Sequence, residues 1–257
     1  MIVPRPYQSE AVEAVYEHLR TKDNNPCVVL PTGTGKSLVL AQIAKDAVEK
    51  WNGRVLILAH VKELLEQNAD KIRKLCPELK IGIYSAGLRS RDTTEQVIVA
   101  GIQSVYNKAC ELDAFDLVVV DEAHAISSEG DGMYRTFLAD MKVINPHVRV
   151  IGLTATPFRL KGGLICKPEN ILNEICYEAG LKEMIQQGYL SPLISRAGRA
   201  EANLANLHIR GGEFISDEVA AAMDNDALVT SACREIVELT RDRKSVLIFT
   251  ASVDHCK

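Results

Sequence analysis

The stretch LVVVDEAHAI, Leu117 to Ile126, runs through four aliphatic residues and then sets Asp121, Glu122 and His124 side by side. A carboxylate is costly to bury unless it is hydrogen-bonded or meets a cation. The pair therefore either marks a strand end turning polar as it meets solvent, or holds a metal ion and activates a water. In the second case one carboxylate takes the cation and its neighbour polarises the attacking water as a general base. His124 taken alone reads more readily as a structural or solvated residue than as a functional one.

A second cluster, PTGTGKS at Pro31 to Ser37, follows an apolar CVVL run and precedes a helical pattern. Gly33 and Gly35 permit a tight loop whose N–H groups cup a phosphate. Lys36 can reach the β- and γ-phosphates, and the Ser37 hydroxyl can ligate Mg²⁺. The strict G-x-x-x-x-G-K-[ST] pattern is broken because Leu30 stands where its first glycine would be. A glycine-rich turn with a solvated lysine is the alternative; the strand before and the helix after favour nucleotide binding. Asp121 then fits the strand-end carboxylate that holds Mg²⁺, and Glu122 the group near the γ-phosphate.

The elements that must position these residues alternate. A helix is expected from about Tyr7 to Arg20, with Ala11, Val12, Val15 and Leu19 on one stripe. CVVLP reads as a strand and is followed by a helix to about Lys50. RVLILA is a strand, and VKELLEQNADKIRKL a helix with Val61, Leu64, Leu65, Ile72 and Leu75 apolar. KIGIYS, QVIVAG, DLVVVD and VRVIGLTA are further strands. This alternation predicts an α/β fold, a parallel sheet with helices on both faces. Ligands of such sheets bind beyond the carboxyl ends of the strands, where PTGTGKS, DEAH and TATPFR all fall.

Beyond Phe158 the pattern changes. RLKGGLICKPEN and GRAEANLANLHIRGGEF read as irregular, and AGLKEMIQQGYLSP as a short helix ended by Gly188. SDEVAAAMDNDALVTSACREIVELTRD reads as helical with Ser216 as N-cap. KSVLIFTASVDHCK reads as a buried strand, a turn and a helix start.

Of the 257 residues, 47% are hydrophobic and 25% charged, as in ordinary globular domains. No apolar run approaches the roughly 18–20 residues that cross a bilayer. MIVPRPYQSE carries prolines and an acid where a secretory signal needs an apolar core. The 7 cysteines form no C-x-x-C pair, so reduced thiols in a cytoplasmic setting are expected, with neither a zinc site nor a disulfide framework. A net charge of −4 disfavours binding nucleic acid through bulk positive charge. Phosphates held by backbone N–H groups and helix N-termini need no such charge.

RPYQ, PTGTGKS, LAHVKELLEQ, GIQSV, DEAH and LTATPFR occur in that order. In this the chain resembles the first motor domain of a superfamily 2 helicase. RPYQSEAV, LAHVKELLEQN and GLTATPFRL give it a likeness to the bacterial RadD-like group, related to the XPB-like and UvsW-like DNA helicases. The resemblance implies a RecA-like P-loop NTPase domain over residues 1–165. It implies that residues 166–257 are a connector and the beginning of an incomplete second RecA-like domain. It implies ATP and Mg²⁺ as cofactors, with Arg5 and Gln8 recognising adenine. Thr32, Gly33, Thr34, Gly35, Lys36 and Ser37 match the phosphate loop, and Asp121 and Glu122 the metal-holding and water-activating pair. His124, Thr154, Ala155 and Thr156 match segments coupling nucleotide state to movement. His60, Lys62, Gln103 and Ser104 lie in segments resembling those that touch the nucleic-acid backbone, although a solvated loop explains Lys62 nearly as well.

The implied function is an ATP-dependent DNA helicase or translocase in DNA repair or recombination, acting on single-stranded or branched DNA. AHVKEL and TAT stand where RNA-unwinding DEAD-box proteins carry PTREL and SAT, so DNA is favoured by resemblance. The arginine-bearing Q-x-x-G-R-x-x-R segment of a second lobe is not in the sequence, and nucleotide binding with weak hydrolysis is expected. Two alternatives remain: a motor subunit of a restriction system, and a nucleotide-dependent module that clamps DNA or protein without turnover.

Overall fold

The computed structural model describes residues 3–126, 132–159, 163–194, 198–199, 202–205, 207–210 and 213–252. Parts of the irregular segments expected in RLKGGLICKPEN and GRAEANLANLHIRGGEF, and the helix start expected at the end of KSVLIFTASVDHCK, lie outside these. Among the described residues no helix is long and apolar enough to cross a membrane.

The first compact unit runs from Met1 to Ser191. Its elements follow the order α1 (Pro6–Thr21), β1 (Pro26–Val29), α2 (Lys36–Trp51), β2 (Val55–Ala59), α3 (Lys62–Leu75), β3 (Ile81–Ser85) and β4 (Ser90–Arg91). They continue with β5 (Val97–Gly101), α4 (Ile102–Val105), α5 (Ala109–Leu112), β6 (Leu117–Asp121), α6 (Met133–Ile144) and β7 (Arg149–Thr154). The small hairpin β8 (Phe158–Arg159) and β9 (Gly163–Leu164) follows, then β10 (Glu174–Glu178) and α7 (Leu181–Gln186).

The main sheet has the strand order β10-β1-β7-β6-β2-β5-β3-β4. Its pairings are parallel except that of β4 with β3. Alternate strand residues feed two cores. Val28, Ile57, Val99, Val119 and Ile151 face α1, α2 and α3. Leu56, Leu58, Ile98, Val118 and Val120 face α4, α5 and α6. Burial on both faces is why these strands read as unbroken apolar runs rather than alternating ones. With β1, β7, β6, β2 and β5 all parallel, the loops after them share one edge.

The differences from the sequence expectations have physical causes. The boundary expected at residue 165 lies inside the first unit, because β10 pairs in parallel with β1 and Met184 of α7 joins its core. EICYE hides this strand from pattern reading: acids bound it, and the register shifts between Cys27 and Val28 opposite it. The strand expected in KSVLIF does not form. Residues 245–250 lack regular structure, with Leu247 78% and Phe249 87% exposed. A strand exists by pairing, and none of the described strands pairs with this run.

The second compact unit, Pro192–Lys257, holds the two-residue strands β11 (Ile209–Arg210) and β12 (Glu213–Phe214) and the helices α8 (Ser216–Met223) and α9 (Asp226–Leu239). The single helix expected here is two. Ser216 is the first helical residue rather than the cap, and Ile215 before it makes no side-chain cap. The side chain that caps is Asn225, whose Oδ1 accepts from the backbone N–H groups of Ala227 and Leu228, both at 3.1 Å.

Candidate active site

The phosphate loop connects β1 to α2, and its glycines are used as the sequence requires. Gly33 and Gly35 have φ of 86° and 83°, left-handed values that glycine adopts without strain. Gly35 occupies the cap position of α2, so the loop's N–H groups lie at a helix N-terminus, a natural anion site. The loop is tied to α1. Tyr7 Oη and Gln8 Nε2 both donate to the Thr34 carbonyl, at 2.7 and 2.8 Å. Gln8 Oε1 accepts from the Arg5 N–H at 2.8 Å and satisfies one of the orphan donors at the start of α1. Gln8 is thus buried, 5% exposed, with one amide proton and one lone pair not used by these two bonds. The Arg5 guanidinium stacks 5.0 Å from the centroid of the Tyr189 ring. Thr34 is buried, whereas Thr32 is exposed.

Lys36 Nζ lies 3.8 Å from Glu122 Oε1, so the phosphate loop and the strand-end acid meet. Asp121 closes β6 and is 7% exposed. Its Oδ1 accepts from the Glu122 N–H at 3.0 Å and its Oδ2 from Asn68 Nδ2 at 2.7 Å. Glu122 adopts a left-handed φ of 49°, a conformation that costs a non-glycine residue roughly 1–3 kcal/mol and that clusters at working sites. The turn turns its carboxylate toward Lys36 and toward His124, whose Nδ1 is 3.3 Å from Glu122 Oε2. His124 above all, with Lys36 behind it, holds the Glu122 carboxyl below the ordinary carboxylate range despite partial burial. An ionised carboxylate only accepts, so Nδ1 carries the proton. The same Nδ1 stands 3.1 Å from Thr154 Oγ1, at the end of β7. Thr154 Oγ1 in turn accepts from the Thr156 N–H at 3.1 Å. Ala155 is half-buried between them.

The four residues expected to meet nucleic acid also sit at this edge. Gln103 Nε2 donates to the His60 carbonyl at 2.7 Å, and Ser104 Oγ accepts from the Ala86 N–H at 3.0 Å. Lys62 is exposed, its stem beside Gly87. His60 Nδ1 is buried and has no partner among the described residues. The loops after β2, β3 and β5 are therefore joined into one surface.

Four further residues contact the site. Arg159 Nε donates to the His124 carbonyl at 2.6 Å, and its NH2 group reaches the carbonyls of His124 and Ile126. It stands in the TATPFR motif, which was its signal. Tyr7, within RPYQ, holds the phosphate loop. Asn68 and Lys71, on α3, touch Asp121 and Ser37: Lys71 Nζ donates to Ser37 Oγ at 3.0 Å. A buried asparagine on the apolar stripe of Leu65 and Ile72 demands a partner, and that was the legible sign for Asn68.

The donors fit Mg²⁺. Ser37 and Asp121 offer a hydroxyl and a carboxylate, all hard oxygen. Among the described residues no group of three or more His, Cys, Asp or Glu could hold a metal by itself. Mg²⁺ suits such a sparse site, because it takes one or two carboxylates and completes its shell with waters and substrate phosphates.

A parallel sheet wrapped by helices on both faces, with the phosphate loop after β1 and the acid pair after β6, is a RecA-like fold. The chain belongs to the family described as type III restriction enzyme, res subunit, whose profile matches residues 1–159. It is similar to the putative ATP-dependent helicase IRC3 of Saccharomyces cerevisiae, 24% identical over 269 residues, which are 98% of this chain and 38% of that protein. It is also similar to the DNA 3'-5' translocase XPB2 of Sulfurisphaera tokodaii, 31% identical over 181 residues, 70% of this chain and 36% of that protein. Among solved structures, the Hef helicase domain of Pyrococcus furiosus matches with a TM-score of 0.52 at 28% identity, covering 69% of this chain and 39% of that one. The chain thus spans less than half the length of these relatives.

Proposed function

We propose that the chain is the nucleotide-binding part of an ATP-dependent superfamily 2 motor that moves on DNA, of the RadD-like kind, with a role in DNA repair or recombination. The observation that carries this reading is the continuous contact from Lys36 through Glu122 and His124 to Thr154. It runs from the phosphate loop to the segment that leads out of the first sheet. Lys36 and the loop N–H groups bind the phosphates. Asp121 and Ser37 would hold Mg²⁺, which when bound neutralises phosphate charge. Glu122, ionised and aimed at the loop, polarises the attacking water. His124, Thr154, Ala155 and Thr156 pass the state of the γ-phosphate onward. A cleft of about 380 Å³ between α1 and α2 is lined by Pro4, Gln8, Leu38 and Gln42 and, farther along, by Glu13, Arg20, Asp46 and Lys50; its contact with Gln8 supports adenine recognition there. His60, Lys62, Gln103 and Ser104 meet the DNA backbone, single-stranded or branched. By itself the chain, which carries no Q-x-x-G-R-x-x-R segment, hydrolyses ATP weakly, and its working place is the cytoplasm.

The family's description favours one second reading, a motor subunit of a restriction system. It uses the same site and differs in acting together with a nuclease. Steady-state ATP hydrolysis by this chain and by the full-length protein side by side, with no nucleic acid, single-stranded DNA, branched DNA and RNA, tests the leading reading. DNA stimulation of the full-length protein supports it, while stronger stimulation by RNA, or none in either protein, overturns it. ATP-dependent cleavage of unmodified DNA by the purified complex would move the conclusion to the restriction reading.

A further inference from the structure

One helix outside the phosphate and acid motifs reaches both residues assigned to the cation. Asn68 of α3 is 3% exposed and donates to Asp121 Oδ2 at 2.7 Å. Three residues on, Lys71 donates to Ser37 Oγ at 3.0 Å. Positions i and i+3 share a helix face, so one side of α3 is turned to the site. We propose that α3 sets the cation affinity of the phosphate site, with Asn68 as a positioning residue for Asp121 and Lys71 as a built-in competitor at Ser37. The inference rests on the reading of Asp121 and Ser37 as the cation-holding residues.

The two contacts act with opposite sign. Asp121 takes one bond on each oxygen, Oδ1 from the Glu122 N–H and Oδ2 from Asn68. Two donors from different elements fix the carboxylate plane and leave each oxygen a lone pair for a cation. A neutral amide does this without adding a charge that opposes the ion. Removing it frees the carboxylate to turn, and the residues that orient metal ligands matter typically by 10–100-fold in metal affinity. Lys71 does the reverse. Its ammonium sits on the hydroxyl that would face the ion, and its exposed, flexible stem lets it withdraw when the cation and nucleotide arrive.

The test is a Mg²⁺ titration of the binding of a fluorescent, non-hydrolysable ATP analogue, with an EDTA baseline. Wild type should bind more tightly as Mg²⁺ is added. Asn68→Leu should raise the Mg²⁺ midpoint about 10- to 100-fold while its affinity in EDTA stays that of wild type. A merely structural role would lower the EDTA affinity as well and leave the midpoint in place, which overturns the assignment of Asn68. Lys71→Ala alters an exposed side chain and keeps the proposal open to test should Asn68→Leu fail to fold. It should lower the midpoint roughly two- to fivefold, the modest scale of a single exposed contact made by a charged side chain. An unchanged or raised midpoint in Lys71→Ala overturns the competitor role. If wild type shows no Mg²⁺ dependence at all, it is the cation reading of Asp121 and Ser37 that falls, and the proposal with it.

Discussion

His124 Nδ1 stands 3.1 Å from Thr154 Oγ1, and this contact joins the turn after β6 to the end of β7. The same nitrogen lies 3.3 Å from Glu122 Oε2, so a single ring touches both Glu122 and Thr154. The Thr156 N–H donates to Thr154 Oγ1 and extends the chain of contacts into TATPFR.

The Glu122 carboxyl titrates below its ordinary value, chiefly because of His124. Its ionised form is therefore favoured in the folded protein. The stability this contributes is present above the ordinary carboxylate pKa and is lost as pH falls through the lower folded value. The acid limb of the pH profile of hydrolysis should accordingly lie below the usual glutamate range. His124→Ala should move that limb upward and abolish DNA stimulation while leaving ATP binding intact. An unmoved limb would show that His124 does not set the state of Glu122.

Glu122→Gln keeps the size and the hydrogen-bonding reach of the side chain but removes the base. Turnover should fall about 10²- to 10⁴-fold, with nucleotide affinity close to wild type. Single-turnover hydrolysis beside a binding titration separates the two. Retained turnover would take the general-base role from this residue.

Gly35→Ala should damage the phosphate loop twice over. A left-handed alanine costs about 1–2 kcal/mol, and the added Cβ would lie 2.6 Å from Gln8 Nε2. The Gln8 amide must then leave the Thr34 carbonyl. Expected are a lowered Tm and a loss of nucleotide affinity of tenfold or more, read by thermal unfolding and fluorescence titration. Wild-type values for both would mean that the loop is not held as described.

Arg159→Ala should loosen the turn after β6, since three contacts to the carbonyls of His124 and Ile126 disappear. Hydrogen bonds from a charged donor contribute about 1.5–3 kcal/mol, and chemical denaturation should show a loss on that scale. Arg159→Lys cannot reach two carbonyls in the same plane and should recover only part of it. Full recovery by lysine would reduce the contact to its charge.

Much of this was legible in the residues. Strands β1, β2, β5, β6 and β7 are rich in Val, Ile and Leu because both faces are covered, and such stretches declare themselves. The phosphate loop and the acid pair were legible because their chemistry restricts residue types at fixed spacing. Helix α6 carries the helical spacing at Tyr134, Phe137, Leu138 and Met141, but Gly132 before it offers no capping side chain to announce it. The VLIF run has a strand's composition, and composition does not supply a neighbour to pair with. Lys71 is an ordinary helix residue until α3 packs beside α2. Asn68, on the apolar stripe of α3, announces that it needs a partner, but that the partner is Asp121 comes from tertiary placement, which no local pattern encodes.

The central claim is that Lys36 belongs to a loop that holds the phosphates of ATP, and the most direct measurement is equilibrium binding of Mg²⁺-ATP to wild type and to Lys36→Ala. Wild type should bind, and Lys36→Ala, folded by its circular dichroism and Tm, should lose at least a hundredfold in affinity, the roughly 2.7 kcal/mol expected from deleting the main charge on the phosphates. Tight binding retained by Lys36→Ala would contradict the account at its root.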